Sequence, residues 1–271
     1  LKFYMKNKAW DDALTIANEI IGLNYYALES DYESVFSSQN EGNHELIFVV
    51  TGNPILQYGN HTHTNIIPGD FKSPYGNSVD GWNGHRMPWS FYDTFDPLDK
   101  RRELIWAEYE NKAGDTVNLR TSGDIGALPL KYGIDPQANG IWSGNDKVLD
   151  RFAEVILFKA EALNELNGPS QESIDLINSI RERAFDNFRG SVHELTITDF
   201  SNKEALRDYI LQERGWELWY EGKRREDLLR MGKYIEVGML NATDFDSKNL
   251  LFPIPSEVII ENPKITPNPG Y

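Results

Sequence analysis

The sequence predicts a mostly helical protein, a tetratricopeptide-like α-superhelix carrying a long, loop-rich irregular insertion. Three observations point there. Apolar residues recur at three- and four-residue steps at the start of the chain and again over 147–235, the period of an amphipathic helix. Between them, residues 51–146 hold 12 of the 21 glycines and 7 of the 13 prolines, which rules out long helices. Two helix–turn–helix units, Tyr4…Trp10…Ala13…Ala17 and Leu163…Ser173…Ile177, place small or aromatic residues where paired helices would touch, in the style of repeats of about 34 residues.

Each element follows from its own signals. The first five residues read as the inside of a helix, and Lys6-Asn7-Lys8 as a polar turn. Trp10, Ala13, Ala17, Ile20 and Ile21 then form one apolar stripe, with Gly22 as its stop. Glu45–Val50 reads as a short strand or buried extended run. In 51–146 the Gly-Asn, Asn-Gly, Pro-Gly and Asp-Pro steps break every pattern. Four of the seven tryptophans nevertheless lie there, too many apolar anchors for a disordered linker. Ordered loops of this length usually carry function. Phe152, Val155, Ile156, Ala160, Leu163 and Leu166 predict a helix ended by Gly168-Pro169. Ile174, Ile177, Ile180 and Ala184 predict the next, capped by Ser170 with Ser173 behind it. A third helix is expected from Lys203 to Tyr234, through Leu206, Ile210, Leu218 and Leu228, with weak points at Gly215, Gly222 and Gly232. The tail from Asn249, with five prolines, is expected to be extended and packed along the surface.

Composition narrows the function. The net charge is −15, so nucleic acid and acidic bilayer surfaces are poor partners. The longest apolar run, Leu46–Val50, is far short of the roughly 20 residues a membrane helix needs. There is no cysteine, hence no disulfide, thiolate metal site or cysteine nucleophile. Leu1-Lys2-Phe3-Tyr4-Met5 has neither initiator Met nor signal-peptide pattern, so the chain reads as a fragment with any targeting segment upstream.

Several constellations were weighed for chemistry. Glu213, Glu217 and Glu221 fall four residues apart, on one expected helix face. They suit a carboxylate pair or an acidic metal site, but the favoured reading is a structural charge network neutralised by Arg214, Arg224, Arg225 and Arg230. No histidine at Glu-x-x-His spacing completes a carboxylate metal cluster. His61-Thr62-His63 on a strand, with Asp70 or Asp80, would be the best zinc candidate, and solvated loop histidines the plainer reading. Asp93–Asp99 and Asp244–Ser247 lack the spacing of a calcium loop. Neither a nucleophile elbow nor a phosphate-binding glycine loop is present. Neither a catalytic residue nor a cofactor is therefore assigned.

The aromatic content of the insertion is the better lead. Tyr75, Trp82, Trp89, Tyr92, Trp106, Tyr109 and Trp142 lie among Asn77, Asp80, Asn83, His85 and Arg86. Flat aromatic faces stack on the apolar face of a sugar ring, and nearby amides, carboxylates and guanidinium groups bond its hydroxyls. The candidate ligand-binding residues are Tyr75, Trp82, Asn83, Arg86, Trp89 and Trp142. The competing reading makes each tryptophan a small-core anchor under a long loop. A glycoside hydrolase using Asp80, Asp93 or Asp96 and a protein-interaction solenoid without small ligand are the alternatives.

Longer motifs add a resemblance. Glu213-Arg214…Glu217-Leu218…Glu221-Gly222…Arg225…Asp227-Leu228-x-Arg230 is followed by Leu251-Phe252-Pro253-Ile254-Pro255…Glu257…Asn262-Pro263…Asn268-Pro269-Gly270-Tyr271. Together with Asp150-Arg151-Phe152-Ala153-Glu154-Val155-x-Leu157…Ala160–Glu165, Asn178-x-Ile180-Arg181-x-Arg183-Ala184 and Asp99-Lys100-Arg101, this order resembles the SusD/RagB family. The resemblance implies a single domain fragment over 1–271, divided as scaffold start 1–50, insertion 51–146, helical scaffold 147–235 and Pro-rich tail 236–271. It also implies a non-catalytic, cell-surface glycan-binding lipoprotein of the outer membrane. Such a protein hands oligosaccharide or polysaccharide to a SusC-like TonB-dependent transporter, and its lipid anchor would lie outside these 271 residues.

Overall fold

The computed structural model describes residues 1–54, 58–240 and 242–271. They form two compact units, Leu1–Gly222 and Lys223–Tyr271.

The first unit opens with the short helix α1 (Lys2–Lys6) and helix α2 (Trp10–Gly22), joined by a turn in which Lys8 takes a left-handed conformation. Strand β1 (Leu46–Val50) follows. Residues beyond it hold only short elements: β2 (Met87–Pro88), α3 (Trp89–Tyr92), β3 (Ile105–Trp106), β4 (Glu108–Glu110), β5 (Thr116–Asn118) and β6 (Gly126–Pro129). Strand β7 (Lys147–Arg151) leads directly into α4 (Phe152–Asn167), then α5 (Gln171–Arg181) and α6 (Lys203–Glu217). The named strands pair antiparallel: β1 with β7, β6 between β2 and β3, and β4 with β5.

Helix α4 is the central post. Its residues from Phe152 to Phe158 are all buried, and α2, α5 and α6 pack on it. Ala13 and Ala17 of α2 are fully enclosed, and their small side chains let α2 come close to Phe152, Val155 and Phe158. Gly168, at φ 77°, ends α4 where a side chain would be strained. Ser170 and Ser173 form the expected capping box on α5.

The third expected helix differs from its sequence reading. Gly215 lies inside α6, and the break comes after Glu217, where Tyr220 adopts φ 59°. Left-handed backbone is unusual for a bulky side chain. Here Tyr220 is fixed by packing against two core clusters and by a 2.7 Å bond between its hydroxyl and Nδ1 of His85. Glu221 therefore sits outside the helix that carries Glu213 and Glu217.

These three carboxylates form a buried charge network, but with other partners than expected. Nη1 of Arg101 donates to Glu213 (2.6 Å) and Glu217 (3.1 Å). Arg151 donates to Glu45 and Glu217, each at 2.6 Å, and to Glu221 at 2.8 Å. Arg183 joins Glu45 to Glu217, Arg181 reaches Glu213, and Lys131 bonds Glu221. The side chains of Arg101, Arg151, Glu45, Glu213 and Glu217 are 0% exposed. Burial pushes the Glu217 and Glu221 carboxyls up. The guanidinium groups of Arg183, Arg151 and Arg101 outweigh it at Glu217, as do Arg151 and Lys131 at Glu221, and hold each at about 2. Arg214 cannot share the Glu213–Glu217 face, because successive helical residues point about 100° apart. Its guanidinium lies 4.1 Å over the Phe158 ring instead.

The second unit contains α7 (Arg224–Arg230), α8 (Tyr234–Met239) and α9 (Ser256–Glu261). Arg225 and Arg230, expected near the glutamates, bond the Leu250 carbonyl and Asp227 within this unit. The tail is not extended throughout, since Pro255 caps α9 before Pro263 stops further helix. The terminal residues fold back: Asn268 donates to the Phe252 carbonyl and Tyr271 to that of Leu251.

Candidate functional site

Three loop segments of the first unit meet around residues 58–67, 78–86 and 138–145. Asn60 and Ser143 exchange both backbone bonds at 3.0 Å. The amide of Asp80 donates to the Gly140 carbonyl, and that of Gly140 to Ser78. Trp82 donates its amide to Thr64 at 2.7 Å, and Asn83 to Ile67. Side chains complete the lacing. Nδ1 of His61 and the Thr64 hydroxyl both bond the Ile141 carbonyl, at 3.0 and 2.9 Å. Nε2 of His63 bonds the Gly140 carbonyl at 3.1 Å. Burial lowers the His63 imidazole below its ordinary value, which keeps it neutral.

Two glycines permit this closeness. A Cβ at Gly81 would stand 2.1 Å from the Ile67 carbonyl oxygen, and one at Gly59 would stand 2.7 Å from that of Ser143. Backbone passes backbone here with no room for a side chain.

The lacing sets three rings side by side. The His61 imidazole lies 4.5 Å from the Trp142 ring and 5.2 Å from the Trp82 ring, tilted by 39° and 34°. Trp82 is 56% exposed, and Tyr58, next to Gly59, is 76% exposed. The result is an open row of flat faces on a hydrogen-bonded support.

The six expected ligand residues fall into three groups. Trp82 and Trp142 are brought together through His61. Asn83 and Arg86 are engaged in holding the loop that carries Trp82. Arg86 grips Asp124 through Nε (3.1 and 3.0 Å), donates to the Ile66 carbonyl at 2.9 Å, and bonds the Asn83 side chain. Trp89 is half-buried between two core clusters, with its Nε1 on the Asp124 carbonyl and the Arg120 guanidinium 4.1 Å over its ring. Tyr75 stands apart, 58% exposed, at the rim of a cleft of about 330 Å³ lined by Tyr132, Ser34, Asn40 and Asn145.

Sequence reasoning overlooked Tyr58 and gave His61 a different task. The sequence suggests metal ligands or solvated loop residues for the histidine pair. Both rings bond backbone carbonyls, and among the described residues no three metal-ligating side chains converge. Of the alternative acids, Asp93 pairs with Arg120, and Asp96 lies 3.8 Å from His193. Asp80 is exposed, its backbone amide donating to the Gly140 carbonyl.

Comparison with known proteins gives a consistent likeness. The profile of the SusD family matches residues 107–271. A SusD-like protein, P2, of Formosa agariphila is 30% identical over 94% of this chain and 50% of its own length. The starch-binding protein SusD of Bacteroides thetaiotaomicron is 30% identical over 50% of this chain and 23% of its own. Among solved structures, a surface glycan-binding protein A from Bacteroides thetaiotaomicron in complex with laminarihexaose superposes with a TM-score of 0.75. It is 22% identical and covers 98% of this chain and 61% of that one. The chain thus spans half or less of the curated relatives named here, and the likeness in fold extends over nearly all of it.

Proposed function

Because this chain belongs to the SusD family, we propose that it binds oligosaccharide or polysaccharide without cleaving it, on the row formed by Trp82, His61 and Trp142 with Tyr58 beside it. The observation that carries this reading is the exposed indole of Trp82 set beside His61 and Trp142, at a tilt of 34° and 39° between neighbouring rings, on a hydrogen-bonded support. Such faces take the apolar side of a pyranose, while polar groups at the edge bond its hydroxyls. The named relatives support the ligand class, one by its starch-binding name and one by the laminarihexaose bound to it. We place the protein at the outer surface of the bacterial cell, tethered through a lipid anchor outside these residues. There it would pass glycan to a SusC-like TonB-dependent transporter. Proximity to the transporter compensates for weak stacking at each site, since a tethered binder works at high effective concentration.

Affinity gel electrophoresis against starch, laminarin and other polysaccharides tests the reading. The protein is expected to be retarded by at least one of them, with no release of reducing sugar. Trp82→Ala should weaken retention by about tenfold, on the scale of one lost aromatic contact, with an unchanged melting temperature. Retention by none of the polymers, or equal retention by Trp82→Ala, would overturn it.

A further inference from the structure

The central ring of the row carries a ring nitrogen that can accept, which an indole N–H cannot, and its tautomer follows from the support. A carbonyl oxygen can only accept, so the 3.0 Å contact between Nδ1 of His61 and the Ile141 carbonyl places the imidazole proton on Nδ1. In the neutral imidazole the other nitrogen, Nε2, then presents a lone pair. Among the described residues no protein group bonds it. Nor is it enclosed, for the buried unpaired nitrogens include Nδ1 of His63 but not Nε2 of His61. An outward acceptor therefore sits within contact range of both indoles, 4.5 Å and 5.2 Å between ring centroids.

From this we infer that His61 sets ligand choice, accepting one hydrogen bond from a sugar hydroxyl or acylamino N–H seated between the two indoles. This rests on the reading of the ring row as a glycan site, and adds the ligand chemistry to it. Neutral and N-acylated sugars with a donor at that position fit. An ether or carboxylate oxygen there would meet the lone pair with nothing to donate, and a carboxylate would also face a chain of net charge −15. The gain comes from orientation as well as energy, because the acceptor is fixed before the ligand arrives.

The test uses calorimetric titration with laminarihexaose, maltohexaose, cellohexaose and N-acetylchitohexaose, and with O-methylated forms of whichever of them binds. Methylation removes the donor and keeps the oxygen. The wild type is expected to prefer the free-hydroxyl form by about three- to tenfold, the scale of one neutral hydrogen bond. His61→Phe keeps a ring between the indoles but should lose that preference, whereas His61→Gln, which retains an acceptor, should keep part of it. In ¹⁵N-histidine spectra the bare Nε2 resonance of the wild type should move when the hexasaccharide is added, a response that a merely structural ring would not give. If Trp82→Ala abolishes binding while His61→Phe retains affinity and discrimination, the glycan site stands and this inference falls. If none of the hexasaccharides binds the wild type, and starch and laminarin fail as well, the site reading itself falls and takes the inference with it.

Discussion

Gly81 decides where Trp82 points. Its absent side chain lets the Trp82 loop run against the Ile67 and Pro68 carbonyls, which an added Cβ would meet at 2.1 and 2.4 Å. Backbone atoms cannot swing aside as a side-chain tip can, so Gly81→Ala should displace the loop. The expected result is a lower melting temperature, an altered tryptophan near-ultraviolet signal and loss of glycan retention together. An unchanged circular dichroism spectrum with intact retention would show that the loop absorbs the methyl group. At this scale the sequence was partly legible. A cluster of aromatic residues amid amides suggests a ligand-like patch, and the structure brings Trp82 and Trp142 together through His61. Arg86 and Trp89 could not be separated from them beforehand, because a guanidinium or indole looks the same in sequence whether it meets a sugar or anchors a loop on Asp124. Tyr58 had no periodic or paired neighbour to mark it.

Among the elements, α5 shows how much a local signal can carry. Ser170 and Ser173 cap it reciprocally, the Ser173 amide donating to the Ser170 hydroxyl at 3.2 Å. Ser170→Ala should cost about 1 kcal/mol in chemical denaturation, typical of a lost N-cap, and leave ligand binding untouched. Such caps, and the glycine that ends α4, are encoded within four residues and were readable. The end of α6 was not. Apolar spacing continues to Tyr234, and the break at Tyr220 depends on His85 and two core clusters distant in sequence. The short helix α9 escaped for a related reason: prolines at 253 and 255 signal extended chain, yet seven residues free of proline remain before 263.

For the first unit as a whole, the buried charge network is the main vulnerability. Glu217 alone meets Arg101, Arg151 and Arg183. Glu217→Gln would leave those guanidinium groups short of a counter-charge away from water, at a cost of about 3–5 kcal/mol. The thermal midpoint should fall by many degrees, and a variant that melts like the wild type would contradict the network's weight. The pH dependence follows from the carboxyls. In the folded state Glu217 and Glu221 titrate at about 2, below the ordinary value of 4.5. The unfolded chain therefore binds more protons between those values. Their stabilisation is complete above pH 4.5 and drains away as pH falls toward 2. Urea midpoints measured from pH 6 down to 2 should decline through this window, and less steeply in Glu217→Gln. The existence of a structural network around the glutamate stripe was foreseeable from composition. Its partners were not, since Glu45 with Arg183, and Arg101 with Glu217, are 138 and 116 residues apart.

Those separations also bear on how the protein is made. Glu45 emerges from a ribosome long before Arg151 and Arg183, and its buried carboxylate has nothing to neutralise it until they arrive. Closing such distant loops is slow, so a half-synthesised chain holds these charges in water and its scaffold open. Once Glu217 and Glu221 have been delivered and the ions lock, unravelling must expose the network's charges together. The molecule should assemble late and come apart reluctantly.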